Sequence, residues 1–336
     1  MRPAIPVIDG TPIDLLNRQL PAARALLAEA RRRYTPRALD MADRLSRRWL
    51  AARDNPYLAE MDAMLALMGE SGAHMLNLSY EWGCTTGLAS DGTGMRLLRT
   101  LDWPLTGLGR HVAVLRTEAP AGPVWSATWP GFSGTLTALA PGRFAVALNQ
   151  VKSWHGRLPQ VLAWPVKALR QWRSPHLPPA HLLRQVCETA PDYATAVRRL
   201  AETPVCQPVL FSIVGTAPDQ GCVIERGRTG AFIHAAPVAC ANHWRFPGLK
   251  GRHPGPLARA DDRSAYVQAS RSRLDAMTRR MTDENGDMPL AWLSPPILTD
   301  DTRLACVLRP TPASLTLVGL EARAPATHLL HLSAEG

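Results

Sequence analysis

No apolar run in this 336-residue chain approaches the roughly 18 residues of a bilayer-crossing helix, so the sequence offers no membrane span. Its six cysteines (84, 187, 206, 222, 240 and 306) are scattered and include no Cys-x-x-Cys pair. That spacing indicates neither a zinc cage nor a dense disulfide framework. There is no phosphate loop and no Gly-x-Gly-x-x-Gly between a strand and a helix, which removes the common nucleotide-binding signatures. Met1 to Gly10 holds one arginine and no continuous apolar stretch, so no secretory signal is expected. These absences together predict a cytoplasmic chain with reduced thiols and with no metal or other cofactor.

What the chain has is apolar content and positive charge. Hydrophobic residues make up 46%, enough for a sizeable core, and the net charge is +10. Such charge suits nucleic acid, an anionic membrane surface or acidic substrates. No nucleic-acid motif accompanies it, and much of the excess is arginine on helical stretches such as Arg31 to Arg33 and Arg44, Arg47 and Arg48. A solvated helix face is the plain reading, and no nucleic-acid partner is expected.

The first 70 residues read as helices over 14–33, 37–53 and 56–70, with Pro21 at a helix start. From Leu76 to Asn149 the pattern is mostly strand, broken by Gly/Pro turns. Helices are predicted at 158–174 and 179–202, then strands at 208–215, 221–226, 230–235 and 237–241. A helix at 264–281 and strands at 303–308, 314–320 and 327–332 complete the chain. Strands, then helices, then strands indicate a layered α+β architecture. The apolar stretch Trp154 to Trp172 is edged with basic residues and suits a membrane surface, an acyl pocket or plain packing on a sheet.

Gly83-Cys84-Thr85-Thr86-Gly87 opens one strand-like run, and Arg99-Thr100-Leu101-Asp102-Trp103-Pro104 closes the next, with Asp91-Gly92 between them. Asp-Gly between apolar runs is a hairpin signal. The hairpin sets Cys84 near Arg99 and Asp102, where a fixed cation can hold a thiolate. A strand cysteine is otherwise an ordinary small buried residue. Other motifs are weaker. Gly131-Phe132-Ser133-Gly134 lacks the Gly-x-Ser-x-Gly spacing of a serine nucleophile turn. His328 and His331 lie in a strand-like segment with no third ligand. Asn77-Leu78-Ser79 fits a glycosylation sequon by chance.

Glu81-Trp82-Gly83-Cys84-Thr85-Thr86 followed by Arg99-Thr100-Leu101-Asp102 resembles the cleavage site and active-site hairpin of the N-terminal-nucleophile cysteine amidohydrolases, in the branch of acid ceramidase and N-acylethanolamine acid amidase. Choloylglycine hydrolase, penicillin V acylase and isopenicillin N acyltransferase are more distant kin. Asn77 to Glu81, Gly134 to Asn149, Gly221 to Arg226, Ala241 to Trp244 and Asp261-Asp262-Arg263 resemble further family segments in family order, covering roughly residues 74–275.

The resemblance implies a four-layer αββα sandwich made as a precursor. It implies cleavage between Gly83 and Cys84, giving a helical α chain, 1–83, and a catalytic β chain, 84–336. It assigns Cys84 as nucleophile and, through its α-amine, as base. Arg99 would steady the thiolate, Asp102 would hold the amine, and the Asn242 side chain would donate to the oxyanion. Arg263 would tie the cluster through a carboxylate. Asn149, Trp103 and Trp129 would contact substrate, and a backbone N–H after Asn149 would be a second oxyanion donor. The expected activity is hydrolysis of an N-acyl amide with a lipophilic acyl chain. An acyltransferase, or a non-catalytic protein binding lipid or other anions, is the alternative.

Two departures stand out. Gln150-Val151 replaces the Glu-Arg pair usual in the acid ceramidase branch. No cysteine lies in 1–83, so the two fragments would be held together noncovalently.

Overall fold

The computed structural model describes residues 2–78, 82–151, 173–228, 230–245, 265–282 and 290–334. After strand β1 (Val7–Asp9), the N-terminal region forms helices α1 (Pro12–Arg18), α2 (Leu20–Tyr34), α3 (Pro36–Ala51), α4 (Leu58–Met68) and α5 (Ala73–Leu78). Pro21 stands in the first turn of α2, where its missing N–H costs no hydrogen bond. Thr11 caps α1 in a reciprocal box with Asp14.

Next come β2 (Gly83–Ser90), β3 (Met95–Asp102), β4 (Ala113–Ala119), β5 (Gly122–Thr128), β6 (Thr137–Ala140) and β7 (Phe144–Gln150). Helices α6 (Pro179–Thr189) and α7 (Tyr193–Glu202) lead to β8 (Val209–Gly215), β9 (Gly221–Arg226), β10 (Ala231–Ala235) and β11 (Val238–Cys240). Helix α8 (Ala265–Arg280) precedes β12 (Thr302–Pro310), β13 (Ala313–Glu321), β14 (Ala324–Pro325) and β15 (Leu330–Ser333).

The strands form two sheets. The eight-stranded sheet runs β1-β4-β5-β6-β7-β8-β9-β10, and the seven-stranded sheet runs β11-β2-β3-β12-β13-β14, with β15 beside β13. Strands β2 and β3 face β7 and β8 across the core, while α6 and α7 cover the larger sheet and α8 covers the smaller. This is the αββα order of layers. Strands β7 and β8 are buried along their whole length, as expected of strands covered on both faces.

Three sequence expectations change in detail. The N-terminal region is not purely helical, because Val7, Ile8 and Asp9 pair in parallel with Val114, Leu115 and Arg116. A three-residue strand is too short to show a period. Leu76 to Leu78 belong to α5 rather than to a strand. The β2–β3 loop is four residues, Asp91 to Thr93 plus Gly94, since Ser90 pairs with Met95. Gly92 and Gly94 take positive φ there, and Asp91 accepts from the Thr93 N–H and from Arg309. The expected helix within 158–174 lies almost wholly outside the described residues.

Many arginines are ties rather than solvated charges. Arg143 alone donates to the carbonyls of Cys187, Ala190, Gly122 and Pro123. Such guanidinium-to-carbonyl bonds satisfy loop backbone that would otherwise be buried unpaired.

Candidate active site

Cys84 is the second residue of β2 and is fully buried. It pairs with Leu101, Thr86 pairs with Arg99, and Gly83 pairs with Asp102. Because side chains alternate along a strand, Cys84, Thr86 and Arg99 share the face toward the larger sheet. Thr85 and Asp102 take the opposite face, under α8. The hairpin therefore does not bring all three predicted side chains to one surface. It sets Arg99 and Asp102 on the two sides of the strand end that carries Cys84.

On the inner face Arg99 is fully buried. Its Nη1 donates to Asn149 Oδ1 and, at 3.4 Å, to Thr86 Oγ1, and its Nε donates to Thr137 Oγ1 at 3.2 Å. Asn149 closes the set by accepting from Thr86 Oγ1 at 2.8 Å and donating to the Ala241 carbonyl at 3.1 Å. Asn149 is thus a strut between the sheets, placed by β7 behind the thiol. Cys306 lies opposite Arg99 on β12, and its thiol is pushed up to about 12, first by burial.

On the outer face Asp102 accepts from Thr302 Oγ1 at 2.9 Å. Arg273, from α8, reaches the same point. Its Nη2 donates to Asn242 Oδ1 at 2.6 Å, its Nε donates to Thr85 Oγ1 at 3.2 Å, and Nε stands 4.0 Å from Asp102 Oδ2. Arg273 thus ties Thr85, Asn242 and Asp102 together, the kind of role expected of Arg263. Arg263 itself lies outside the described residues. The signal for Arg273 was available in outline, since Ser270, Arg273, Ala276 and Met277 form the buried stripe of α8. An arginine among small and apolar positions on one helix face marks a buried cation.

Asn242 follows β11 and touches the backbone on both sides of the 83–84 bond. The Cys84 N–H donates to its Oδ1 at 2.9 Å, while its Nδ2 donates to the Gln150 carbonyl at 2.8 Å and to the Trp82 carbonyl at 3.4 Å. The expected oxyanion donor is therefore committed to two carbonyls in the continuous chain. A Cβ on Gly83 would come within 3.1 Å of Asp102 Cβ, so a side chain there would crowd the carboxylate.

Trp103 and Trp129, expected at the substrate, are buried in a four-ring cluster with Trp82 and Phe132. Burial raises the Cys84 thiol above its ordinary range, opposed first by the positive charge of Arg99. Burial likewise raises Asp102, opposed first by Arg273. In the continuous chain the thiol is thus held protonated, with a cation on either side of it. Among the described residues, no group of three or more His, Cys, Asp or Glu side chains is placed to hold a metal. No described helix is long and apolar enough to cross a membrane.

No family model matches the chain. It is 26% identical over 257 residues to the guinea pig (Cavia porcellus) N-acylethanolamine-hydrolyzing acid amidase, covering 71% of this chain and 68% of that protein. It is 34% identical over 107 residues to the acid ceramidase of Heterocephalus glaber, covering 31% of this chain and 26% of that one. The chain is a homologue of these amide hydrolases. Its fold agrees with a solved Caenorhabditis elegans N-acylethanolamine-hydrolyzing acid amidase orthologue at a TM-score of 0.50 and 17% identity, covering 68% of this chain and 93% of that one. That likeness is one of fold. The rabbit amidase (Oryctolagus cuniculus) is matched over only 52% of its length, so the alignment leaves much of that relative uncovered.

Proposed function

We propose that this homologue is a self-processing amidase. It hydrolyses N-acyl amides bearing an apolar acyl group through a thioester on Cys84. The observation that carries the reading is the convergence on one peptide bond of a buried thiol, Arg99, Asp102 and Asn242, with Asn242 touching the backbone on both sides of that bond.

Self-cleavage begins when Cys84 Sγ attacks the Gly83 carbonyl carbon. The C–N bond breaks, the thiol proton ends on the new α-amine, and Gly83 is held as a thioester. Water then cleaves the C–S bond, giving a Gly83 carboxylate and a free Cys84. An unperturbed α-amine titrates near about 8, so the freed amine, held by Asp102, serves as base for its own thiol. No histidine is needed. Substrate hydrolysis repeats the cycle: thiolate attack, loss of the amine, then hydrolysis of the acyl thioester. Asn242 Nδ2 and a backbone N–H after Asn149 supply donors to the tetrahedral oxyanion, each such donor being worth roughly 3 kcal/mol of barrier. Arg99 and Arg273 steady the thiolate and Asn242 from opposite faces.

After cleavage the two fragments stay together without a covalent link. Strand β1 remains in the larger sheet beside β4. A half-buried charged clamp also spans the fragments: Arg184 on α6 donates to Glu60 on α4 at 2.6 Å, while Tyr57 donates to Glu188 at 2.9 Å.

The test is intact mass of wild type and Cys84→Ala, followed by a panel of N-acylethanolamines, ceramides and acyl amino acids with and without an added amine. Wild type split after Gly83, an intact alanine variant and release of free fatty acid are expected. A wild type that stays whole overturns the self-processing. Acyl transfer to the added amine in preference to water would make it a transferase.

A further inference from the structure

We propose that Trp82 is the positioning residue by which the chain presents its own Gly83–Cys84 bond for cleavage. The inference rests on the self-processing reading and deepens it. Trp82 is fully buried although it sits in the link between a helical region and a strand. Its ring stands edge-on to Trp103 and to Phe132, each 6.1 Å away at 89° and 86°. Trp129 backs both walls, at 5.6 Å from Trp103 and 4.6 Å from Phe132. These three rings come from the segments after β3 and β5, beyond the bond to be cut. The Trp82 side chain is therefore lodged in the other fragment.

Its backbone is held as well. The Trp82 N–H donates to Gln150 Oε1 at 3.1 Å, and its carbonyl accepts from Asn242 Nδ2. Gly83, the residue that loses its bond, has no side chain, and a Cβ added there would stand 3.1 Å from Asp102 Cβ. The chain is thus anchored one residue before the reacting carbonyl, by a large rigid ring and by both backbone polar groups. A glycine cannot be gripped by its side chain, so the grip falls on its neighbour. Fixing a reacting group through an adjacent anchor is how orientation lowers a barrier, and a misplacement of about 1 Å can cost roughly 100-fold. Gln150 completes the anchor with a neutral amide, so this contact does not titrate.

The experiment follows cleavage of newly made full-length chain in a cell-free translation system by intact mass over time. Wild type is compared with Trp82→Ala, Trp82→Phe and Gln150→Leu. Thermal midpoints of each are taken in the Cys84→Ala background, where no chain is cut. Trp82→Ala is expected to slow cleavage by about 10- to 100-fold. Trp82→Phe, which refills the aromatic seat, returns the rate to within about threefold. A merely structural role would move the midpoint and the rate together.

A folded Trp82→Ala chain cut at the wild-type rate overturns the inference. If Trp82→Ala does not fold, Gln150→Leu decides, because it removes only the backbone anchor. Slower cleavage supports the proposal, and an unchanged rate overturns it. A wild type that stays whole overturns the self-processing reading itself and this inference with it. Wild type cut alongside equally fast variants overturns this inference alone.

Discussion

Replacing Arg273 by leucine should be costly in a pH-dependent way, and the cost follows from the geometry. Arg273 stands 4.0 Å from Asp102, and both side chains are nearly buried. At an effective dielectric near 20, two unit charges at that distance attract by about 4 kcal/mol. Removing one partner of a buried pair generally costs about 3–5 kcal/mol, because the other charge is left unpaired. The two estimates agree.

The pH dependence comes from Asp102. Its carboxyl is already raised by burial, and Arg273 is the largest influence pulling it back down. Without Arg273 it rises further, so the folded chain favours the neutral acid more strongly than the unfolded chain, whose carboxyl ionises near about 3.9. The penalty is therefore full above the folded pKa and fades as pH falls toward the range where both states are protonated. Urea denaturation in the Cys84→Ala background should show Arg273→Leu less stable by up to about 4 kcal/mol at alkaline pH, where Asp102 is ionised in the variant as well, with a smaller gap near about pH 4. Adding Asp102→Asn should shrink the Arg273→Leu penalty, since the charge to be compensated is gone. A penalty that is the same at both pH values, and the same with Asp102→Asn, would refute the pairing.

Three further outcomes are expected. His181 is buried beside Asn55, and burial lowers its pKa to about 3. The unfolded chain therefore binds more protons from about pH 6.5 downward, and stability should fall by up to about 4–5 kcal/mol as pH drops to about 3. Denaturation of His181→Gln across that range should show a flatter profile. Arg184→Met removes the cation between Glu60 and Glu188, so the processed fragments should separate more readily on native mass spectrometry, at a cost of about 3–5 kcal/mol. Gly319→Ala would put a Cβ 1.9 Å from the Gly109 carbonyl oxygen, so its melting point should drop by the equivalent of at least about 1–3 kcal/mol.

The hairpin was legible because a turn-forming Asp91-Gly92 separates two strand-like runs, both buried almost throughout. The strands from Phe144 to Arg226 were legible because covered strands read as apolar runs. The sidedness of the site was also present in the sequence, since residues 99 and 102 differ by an odd number and must face opposite ways in a strand. Arg273 was harder. The sequence offers many arginines on α8 and nearby, and only the buried stripe singles one out. The partner of Gln150 could not be read at all. Its contact with Trp82 joins residues 68 positions apart, and no local pattern encodes it. Strand β1 was hidden by length, since three residues cannot show a period.

That short strand has a consequence for how the protein melts. Val7, Ile8 and Asp9 sit in the ladder of the larger sheet, and the Gly10 N–H continues it to the Arg116 carbonyl at 2.9 Å. While the chain is continuous, its unfolding is unimolecular and its midpoint is independent of how much protein is in the tube. With the proposed cut before Cys84, the same ladder becomes the contact between two molecules. Unfolding then releases a fragment, and the midpoint must climb with protein concentration by mass action. Dilution alone would weaken the processed protein and leave the uncut one untouched.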